Sequence, residues 1–496
     1  MNPFLKQQEA SILTKVRDFL AQENIDSYLV GGYIRDTLLR RPTRDIDIAV
    51  AATAPEVARK VATVLNARYV PLDEVNEIAR VVLIEDDPTP GARWYLDFST
   101  IRAGIEENLS HRDFTINAIS INLRELDGVS TAHFIDPLQG RGDLEKGLIR
   151  AVSETAFQED PARLLRAVRL AAEYGFTIEE RTEALIQSDS QILRQVAGER
   201  VREELCRLLS VQSAAPFLYY LDHLGLLTAI IPELTLTKGV EQPFEHFWDV
   251  FQHSIETVAA LERLLQSGGS EPEDAILSLV PSIPDLLEHF EEEVSSGATR
   301  AVLAKLAALL HDIAKPQSKS VEPNGRTRFL GHTKEGAVMA GDILQRLRFS
   351  TKETKLVQKM IESHLRLWQM GGDGKPSHRA IYRFFRDTGD AGTDVIILTL
   401  ADFLAARGPD LEMEEWKQHC HMMQYIWSEH EKEDARVVPI KLIDGHDLIT
   451  IFGLEPSPKI GQLLEAVREA QGIGEITTRE EALAFTQRQL DRGRTE

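Results

Sequence analysis

Between residues 26 and 150, short β-rich runs alternate with helical stretches. The segments "SYLVGG", "DIDIAV", "ARYVPL", "ARVVLIE", "WYLDFSTI" and "TINAISINL" all read as strands. Among them, "APEVARKVATVLN" spaces its apolar residues for a helix. From about residue 155 the period changes and helix follows helix. "EDPARLLRAVRLAAEYGF" runs to a stop at Gly175, and "ERVREELCRLLS" comes next. Residues 242–430 stay helical, with "VIILTLA" (395–401) as a buried element. The stretch 267–300 is acidic and punctuated by Gly, Ser and Pro, which predicts an insertion or mobile excursion. The first twenty residues predict an amphipathic helix and not a signal peptide. The pattern as a whole is α+β: a small mixed sheet with helices, then an all-helical remainder.

Composition narrows this picture. A chain of 496 residues is too long for one ordinary core, so several domains are expected. No apolar run reaches the length of a membrane span. Cys206 and Cys420 stand alone and far apart, which points to a reducing, cytoplasmic setting and away from a disulfide framework. The net charge of −22 excludes general electrostatic binding of nucleic acid. An RNA partner would have to be held by a local basic surface and divalent metal, and read by shape.

The chemistry begins in "DIDIAV". Side chains alternate along a strand, so Asp45 and Asp47 share one face and Ile46 and Ile48 the other. Two carboxylates side by side repel unless a cation lies between them, and Mg²⁺ is the natural oxygen-seeking choice. A lone D-x-D is more often two solvated acids. Here Gly31 and Gly32 precede a helix start, where backbone N–H groups can approach a phosphate, and Arg35 follows one turn on. A phosphate cradle beside a metal-binding pair fits phosphoryl or nucleotidyl transfer.

The stretch "GGYIRDTLLRRPTRDIDIAV" resembles the signature of the class II tRNA nucleotidyltransferase and bacterial poly(A) polymerase family, within the polymerase-β-like superfamily. Further resemblances follow in the family's order: "HRDFTINAIS" (111–120), "DPLQGRGDLEKGLIRAV" (136–152), "EDPARLLRAVRLAAEYGF" (159–176) and "ERVREELCRLL" (200–209). The resemblance covers about residues 26–235. It implies that Asp45 and Asp47 are the catalytic Mg²⁺ pair and that Gly31, Gly32 and Arg35 contact the nucleotide phosphates. It implies a ribose or phosphate contact for Arg112 and base reading by Asp160 and Arg163. Arg166 and Arg169 would hold phosphates or shape the pocket. The spacing of three from Asp160 to Arg169 also predicts one helix face, where a carboxylate and a guanidinium can match a base edge. Asp97, in "WYLDFSTI", is a candidate third acid that activates the attacking hydroxyl; it reads equally well as a strand-end acid.

His111 stands where the family usually has the first of two arginines. Only "AGIEENLS" separates Arg102 from His111. Complete CCA-adding members of the family usually carry a longer loop there, associated with the change from CTP to ATP. The short segment therefore favours CC addition to the tRNA 3′ end from CTP, with CCA addition, A addition from ATP, or poly(A) synthesis as alternatives.

A second constellation lies in the helical half. His253, His311 with Asp312, His332, His364 and Asp402 fall in order on helical stretches and resemble the HD phosphohydrolase superfamily. The core ligands would be His253, His311, Asp312 and Asp402, with His332 and His364 as the extra pair of two-metal members. Nitrogen and carboxylate donors suit Mn, Fe, Ni, Mg or Zn. Such a site would hydrolyse phosphoesters, and a phosphohydrolase with an RNA-presenting front half is the alternative from another enzyme class. The expected order is an N-terminal helix (1–25), a nucleotidyltransferase head (26–152), a helical neck and body (153–240), an HD-type metal domain (241–432) and a helical tRNA-binding tail (433–496). A basic strip from Arg35 to Arg44 through the arginines of 194–207 would carry the tRNA, with no membrane partner.

Overall fold

In the computed structural model, residues 3–84, 93–126, 133–266, 275–295, 297–371, 374–434 and 441–492 are described. The chain forms two compact units, Met1–Val196 with Tyr220–Ile230, and Ala197–Tyr219 with Ile231–Glu496.

The first unit holds a seven-stranded sheet. Its strands are β1 (Ser27–Val30), β2 (Asp45–Val50), β3 (Arg68–Asp73), β4 (Ile78–Ile84), β5 (Arg93–Thr100), β6 (Ser120–Asn122) and β7 (Phe134–Ile135), in the order β3-β4-β5-β2-β1-β6-β7. β2 and β5 are parallel and the other neighbours antiparallel, so the sheet is mixed as expected. Of "TINAISINL", only the end is strand; Thr115–Asn117 forms a 3₁₀ turn. That turn lets Asn117 and Thr115 point inward as hydrogen-bonding groups, a use that a regular strand would not allow.

The helices of this unit include α1 (Pro3–Gln22), α2 (Gly32–Leu38), α3 (Ala54–Val64), α4 (Ile105–Ser110), α5 (Gly140–Lys146), α6 (Ala156–Glu159) and α7 (Arg163–Tyr174), followed by Glu180–Asp189 and Leu227–Ile230. α1 and α3 cover one sheet face. Ile12, Val16 and Leu20 of α1 and Val57, Ala58 and Val61 of α3 pack with Ile46, Ile48, Leu96 and Phe98. Each of these larger apolar side chains, Ala58 excepted, contributes about 1.5–3 kcal/mol by leaving water. This burial also fixes register. A slip of one residue would drive Asp45 and Asp47 into the core and expose the isoleucines.

The second unit is largely helical. Val250–Gln266, Arg300–Leu310, His332–Arg346, Thr351–Ser363 and Gly392–Arg407 pack together. Gly392–Arg407 is buried from Val395 through Asp402 without interruption, which explains its continuous apolar sequence. The acidic excursion is in part a short helix (Leu286–Glu291) and a two-stranded ribbon; residues 267–274 lie outside the described ones. Gly445–Phe452, Pro458–Gly472 and Arg479–Arg492 share a small core of Leu448, Val467, Ile476 and Phe485. Among the described residues, no helix is long and apolar enough to cross a membrane.

Candidate active site and metal centre

The second sheet face of the first unit carries the acids. Asp47 and Asp97 are direct partners across β2 and β5, and Arg80 is the partner of Asp97 across β4 and β5. Asp45 lies two residues before Asp47, opposite Tyr95. Arg80 grips Asp97 with two parallel bonds, Nε to Oδ1 at 2.7 Å and Nη2 to Oδ2 at 2.8 Å. Sequence reading missed Arg80. The signal was there: it is the one charge in "IARVVLI", on the same alternate face as Asp97.

Gly31 shows why glycine stands before α2. Its φ is 73°, and a Cβ there would lie 2.5 Å from Arg112 Nη1 and 2.9 Å from Asp47 Oδ2. The Gly32 N–H donates to Asp47 Oδ2 at 3.2 Å. The glycine pair thus brings backbone directly against the acid. Burial pushes the Asp47 carboxyl above its ordinary range; Arg112 opposes this, while Asp97 and Asp45 add to it. A buried carboxylate raised by two neighbouring acids fits a hard divalent cation, which would relieve both penalties.

Arg35 differs from the expected free phosphate grip. It is buried, with Nε and Nη2 donating to Asp36 at 2.9 and 3.0 Å and Nη1 to Asn117 Oδ1 at 2.6 Å. The reason is its place one turn into α2, on the side packed against the 115–117 turn. A surface strip of arginines therefore does not start at Arg35. Arg112 lies between Asp47 and Asp113, and burial draws its pKa down. Arg166 Nε pairs with Asp113 at 3.4 Å. Burial works to raise Asp113, but Arg166 and the Asn117 hydrogen bond hold it below the usual carboxylate range.

Asp160 does not share a helix face with the arginines. It is extended (φ −145°, ψ 97°), ahead of α7, because Pro161 follows it. Its Oδ1 accepts from Ala162 N at 3.2 Å. Arg163, at the start of α7, donates to Ala156 O at 3.1 Å and to His111 O at 2.7 Å. Arg169 is buried and donates to Glu173 Oε2 at 2.5 Å within its own helix.

In the second unit, His253 and Asp402 come from the interiors of Val250–Gln266 and Gly392–Arg407. His311 and His364 cap the ends of Arg300–Leu310 and Thr351–Ser363, and His332 begins His332–Arg346. All converge. His253 Nε2 lies 3.0 Å from Asp402 Oδ1 and 3.2 Å from His311 Nε2. Asp312 stands 3.1 Å from His311 Nε2 through Oδ2, and 3.3 and 4.0 Å from His332 and His364 Nε2 through Oδ1. The Nδ1 atoms of His311, His332 and His364 pair with the carbonyls of Ala308, Phe329 and Ile361, three residues back, at 2.8, 2.6 and 2.8 Å. These bonds place a proton on Nδ1 and aim the Nε2 atoms inward, the orientation that metal ligation needs.

Electrostatics agree. Burial pulls His253 and His364 down, the latter to about 4, so both are neutral donors. Burial also opposes charge on His311, but Asp312 and Asp402 outweigh it and hold it up at about 10. The His311 proton stands where a cation would. Lys315 Nζ, 2.6 Å from Asp312 Oδ2 and 2.5 Å from Gln242 Oε1, steadies the acid and was also missed from sequence. The buried Asp312 Oδ1 and His332 Nε2 satisfy no hydrogen bond. This donor set fits divalent metal.

A carboxylate-bearing mixed sheet with a helical neck, and a separate histidine–aspartate helical centre, define a nucleotidyltransferase joined to a metal domain. The Poly A polymerase head domain family matches residues 27–150, the probable RNA and SrmB-binding site of polymerase A matches 175–237, and the HD domain family matches 250–407. An A-adding tRNA nucleotidyltransferase of Deinococcus radiodurans is 33% identical over 93% of this chain and 94% of its own. A CC-adding tRNA nucleotidyltransferase of Geobacter sulfurreducens is 31% identical over 92% of this chain and 91% of its own. In fold, the chain is similar to the Thermotoga maritima CCA-adding enzyme complexed with tRNA, with TM-score 0.60 at 22% identity, over 99% of this chain and 96% of that one. The chain belongs to the tRNA nucleotidyltransferase family and is an enzyme.

Proposed function

We propose that this enzyme adds CMP to the 3′ end of tRNA without a template and stops after two cytidines. The observation that carries the CC reading is the segment between β5 and "HRDFT". It is the single short helix α4, anchored by the fully buried Leu109, and the His111 carbonyl just after it accepts from Arg163. A tethered segment of this kind ties Arg163 in one arrangement, whereas reading CTP and then ATP requires two. In this reading, the primer 3′-oxygen attacks the α-phosphorus of CTP and the bond to pyrophosphate breaks. Mg²⁺ held by Asp45 and Asp47 would stabilise the charge on the attacking and leaving oxygens. Asp97 orients the attacking hydroxyl, Gly31 and Gly32 admit the triphosphate closely, Arg112 and Arg166 face its charge, and Asp160 with Arg163 reads the base. The head, neck, metal-domain and tail boundaries expected from sequence belong to the same reading, with the tail meeting the distal tRNA.

The test uses tRNA lacking its terminal CCA and tRNA ending in CC, each with a single labelled nucleotide. The expected result is two additions of C to the first and none of A to the second. Addition of A alone to the second would make this an A-adding enzyme, the activity named for the Deinococcus relative.

The six converging donors of the second unit favour a second reaction, metal-dependent phosphoester hydrolysis. His311→Ala should abolish metal-dependent phosphate release and leave C addition intact. Phosphate release that instead disappears with Asp45→Ala would remove this second reading.

A further inference from the structure

The C-terminal end of α7 is tied to the head by a group that sequence did not mark. The Tyr174 hydroxyl donates to Asp36 Oδ1 at 2.7 Å. The guanidiniums of Arg35 and Arg41 each lie over its ring, 4.5 Å from the centre. Arg41 Nη1 also donates to the Glu173 carbonyl at 2.8 Å, where the negative end of the helix dipole welcomes a cation.

These contacts are one side of a closed circuit. Arg35 bonds Asp36 and Asn117; Asn117 Nδ2 donates to Asp113 Oδ1 at 2.9 Å; Asp113 pairs with Arg166. The chain of bonds therefore leaves α7 at Tyr174 and returns to it at Arg166, two turns earlier. On the way it passes through α2, whose first residue donates to Asp47. A helix held at two points cannot rock about either one. Arg163 lies at the N-terminal end of that same row.

We propose that Tyr174 is a positioning residue for nucleotide selection: with Asp36, Arg35 and Arg41 it locks the angle of α7, and so the place of Arg163, relative to the Asp47 strand. This rests on the base-reading role given to Asp160 and Arg163 above. Tyr174 touches neither metal nor nucleotide in this scheme. Its loss loosens the reading edge and spares the metal chemistry.

The experiment is steady-state C addition to tRNA lacking CCA, with CTP and with UTP, for wild type, Tyr174→Leu, Tyr174→Phe and Asp36→Asn. Tyr174→Leu should raise KM for CTP about tenfold and raise UTP misincorporation, with kcat close to wild type. Tyr174→Phe keeps the stacked guanidiniums but loses the bond to Asp36, so its KM should fall between those of the wild type and Tyr174→Leu. The double variant Tyr174→Leu with Asp36→Asn should be no worse than the poorer single one, because both cut the same circuit. Unchanged KM and selectivity in Tyr174→Leu, additive effects in the double variant, or a fall in kcat with melting temperature would each overturn the proposal. Wild-type C addition tests the parent reading separately. Should Tyr174→Leu fail to fold, Asp36→Asn and Tyr174→Phe carry the same comparison.

Discussion

Asp47 and Asp97 face each other in register across the parallel pair β2–β5, and the Gly32 N–H stabilises the first while Arg80 clamps the second. The two acids are thus treated differently by their surroundings. Asp47 bears a burial penalty and the repulsion of two neighbours, and its carboxyl is raised. A raised carboxyl binds more protons in the folded than in the unfolded chain, so this group lowers stability as pH rises above the unfolded value. Asp47→Asn should therefore raise the melting temperature of the metal-free protein at neutral pH. It should also lower C addition by at least about a thousandfold, since one of the two acids proposed to hold the metal is gone. Differential scanning fluorimetry with and without Mg²⁺, beside the addition assay, checks both. Equal melting of the two proteins without metal would contradict the electrostatic account.

Arg80 supplies the opposite case. Its bidentate pair with Asp97 removes one negative charge from the face and holds the carboxylate plane. Arg80→Met would leave the acids unbalanced and Asp97 free to turn. Binding of Mn²⁺, read by electron paramagnetic resonance, should tighten. The turnover number should fall about tenfold or more, because the acid proposed to orient the attacking hydroxyl is no longer fixed. Weaker Mn²⁺ binding would show that Arg80 organises the metal ligands instead of balancing their charge.

Much of this was legible in sequence where the residue's role depends on local period. Asp45 and Asp47 had to share a face, and the buried Ile46 and Ile48 leave no other register. His253, His311, Asp312, His332, His364 and Asp402 do converge, because each sits inside or at the end of a helix whose apolar side packs in the core. What was not legible depends on side-chain reach across chain-distant elements. Arg35 looked free from its spacing, yet Asn117 and Tyr174, more than eighty residues away, claim it. Asp160 looked helical by a count of three, but Pro161 holds it extended. Arg80 stands out as the lone charge of its strand, but only the register of β4 on β5 sets it opposite Asp97.

Gly31→Ala tests the close approach of backbone to acid. The added Cβ meets Arg112 Nη1 and Asp47 Oδ2 inside contact distance, at a positive φ that alanine resists. Strain of this kind amounts to about 1–3 kcal/mol. The expected outcome is a modest loss of stability and a fall in C addition of about a hundredfold, through displaced Arg112 and Asp47. Retained activity in a folded Gly31→Ala protein would show that the conformation serves the turn alone.

The histidine centre makes a prediction about protons. His253 and His364 are already neutral and Asp312 and Asp402 already ionised, so His311 is the group that must lose a proton to a metal. In the folded chain its pKa of about 10 exceeds the ordinary histidine value of about 6.5. The stability it lends the metal-free protein is therefore complete below about 6.5 and is lost as pH rises through about 10. Metal replaces that proton, so affinity should rise about tenfold per pH unit across this window, with one proton released per ion. Calorimetric titration of the chelator-treated protein with Mn²⁺ in buffers of different ionisation enthalpy counts the protons directly. In His311→Ala the release should vanish while C addition persists, since Asp45 and Asp47 are untouched. Release that survives in His311→Ala would place the labile proton on another ligand, and His332, whose Nε2 satisfies no hydrogen bond, is the one to examine next.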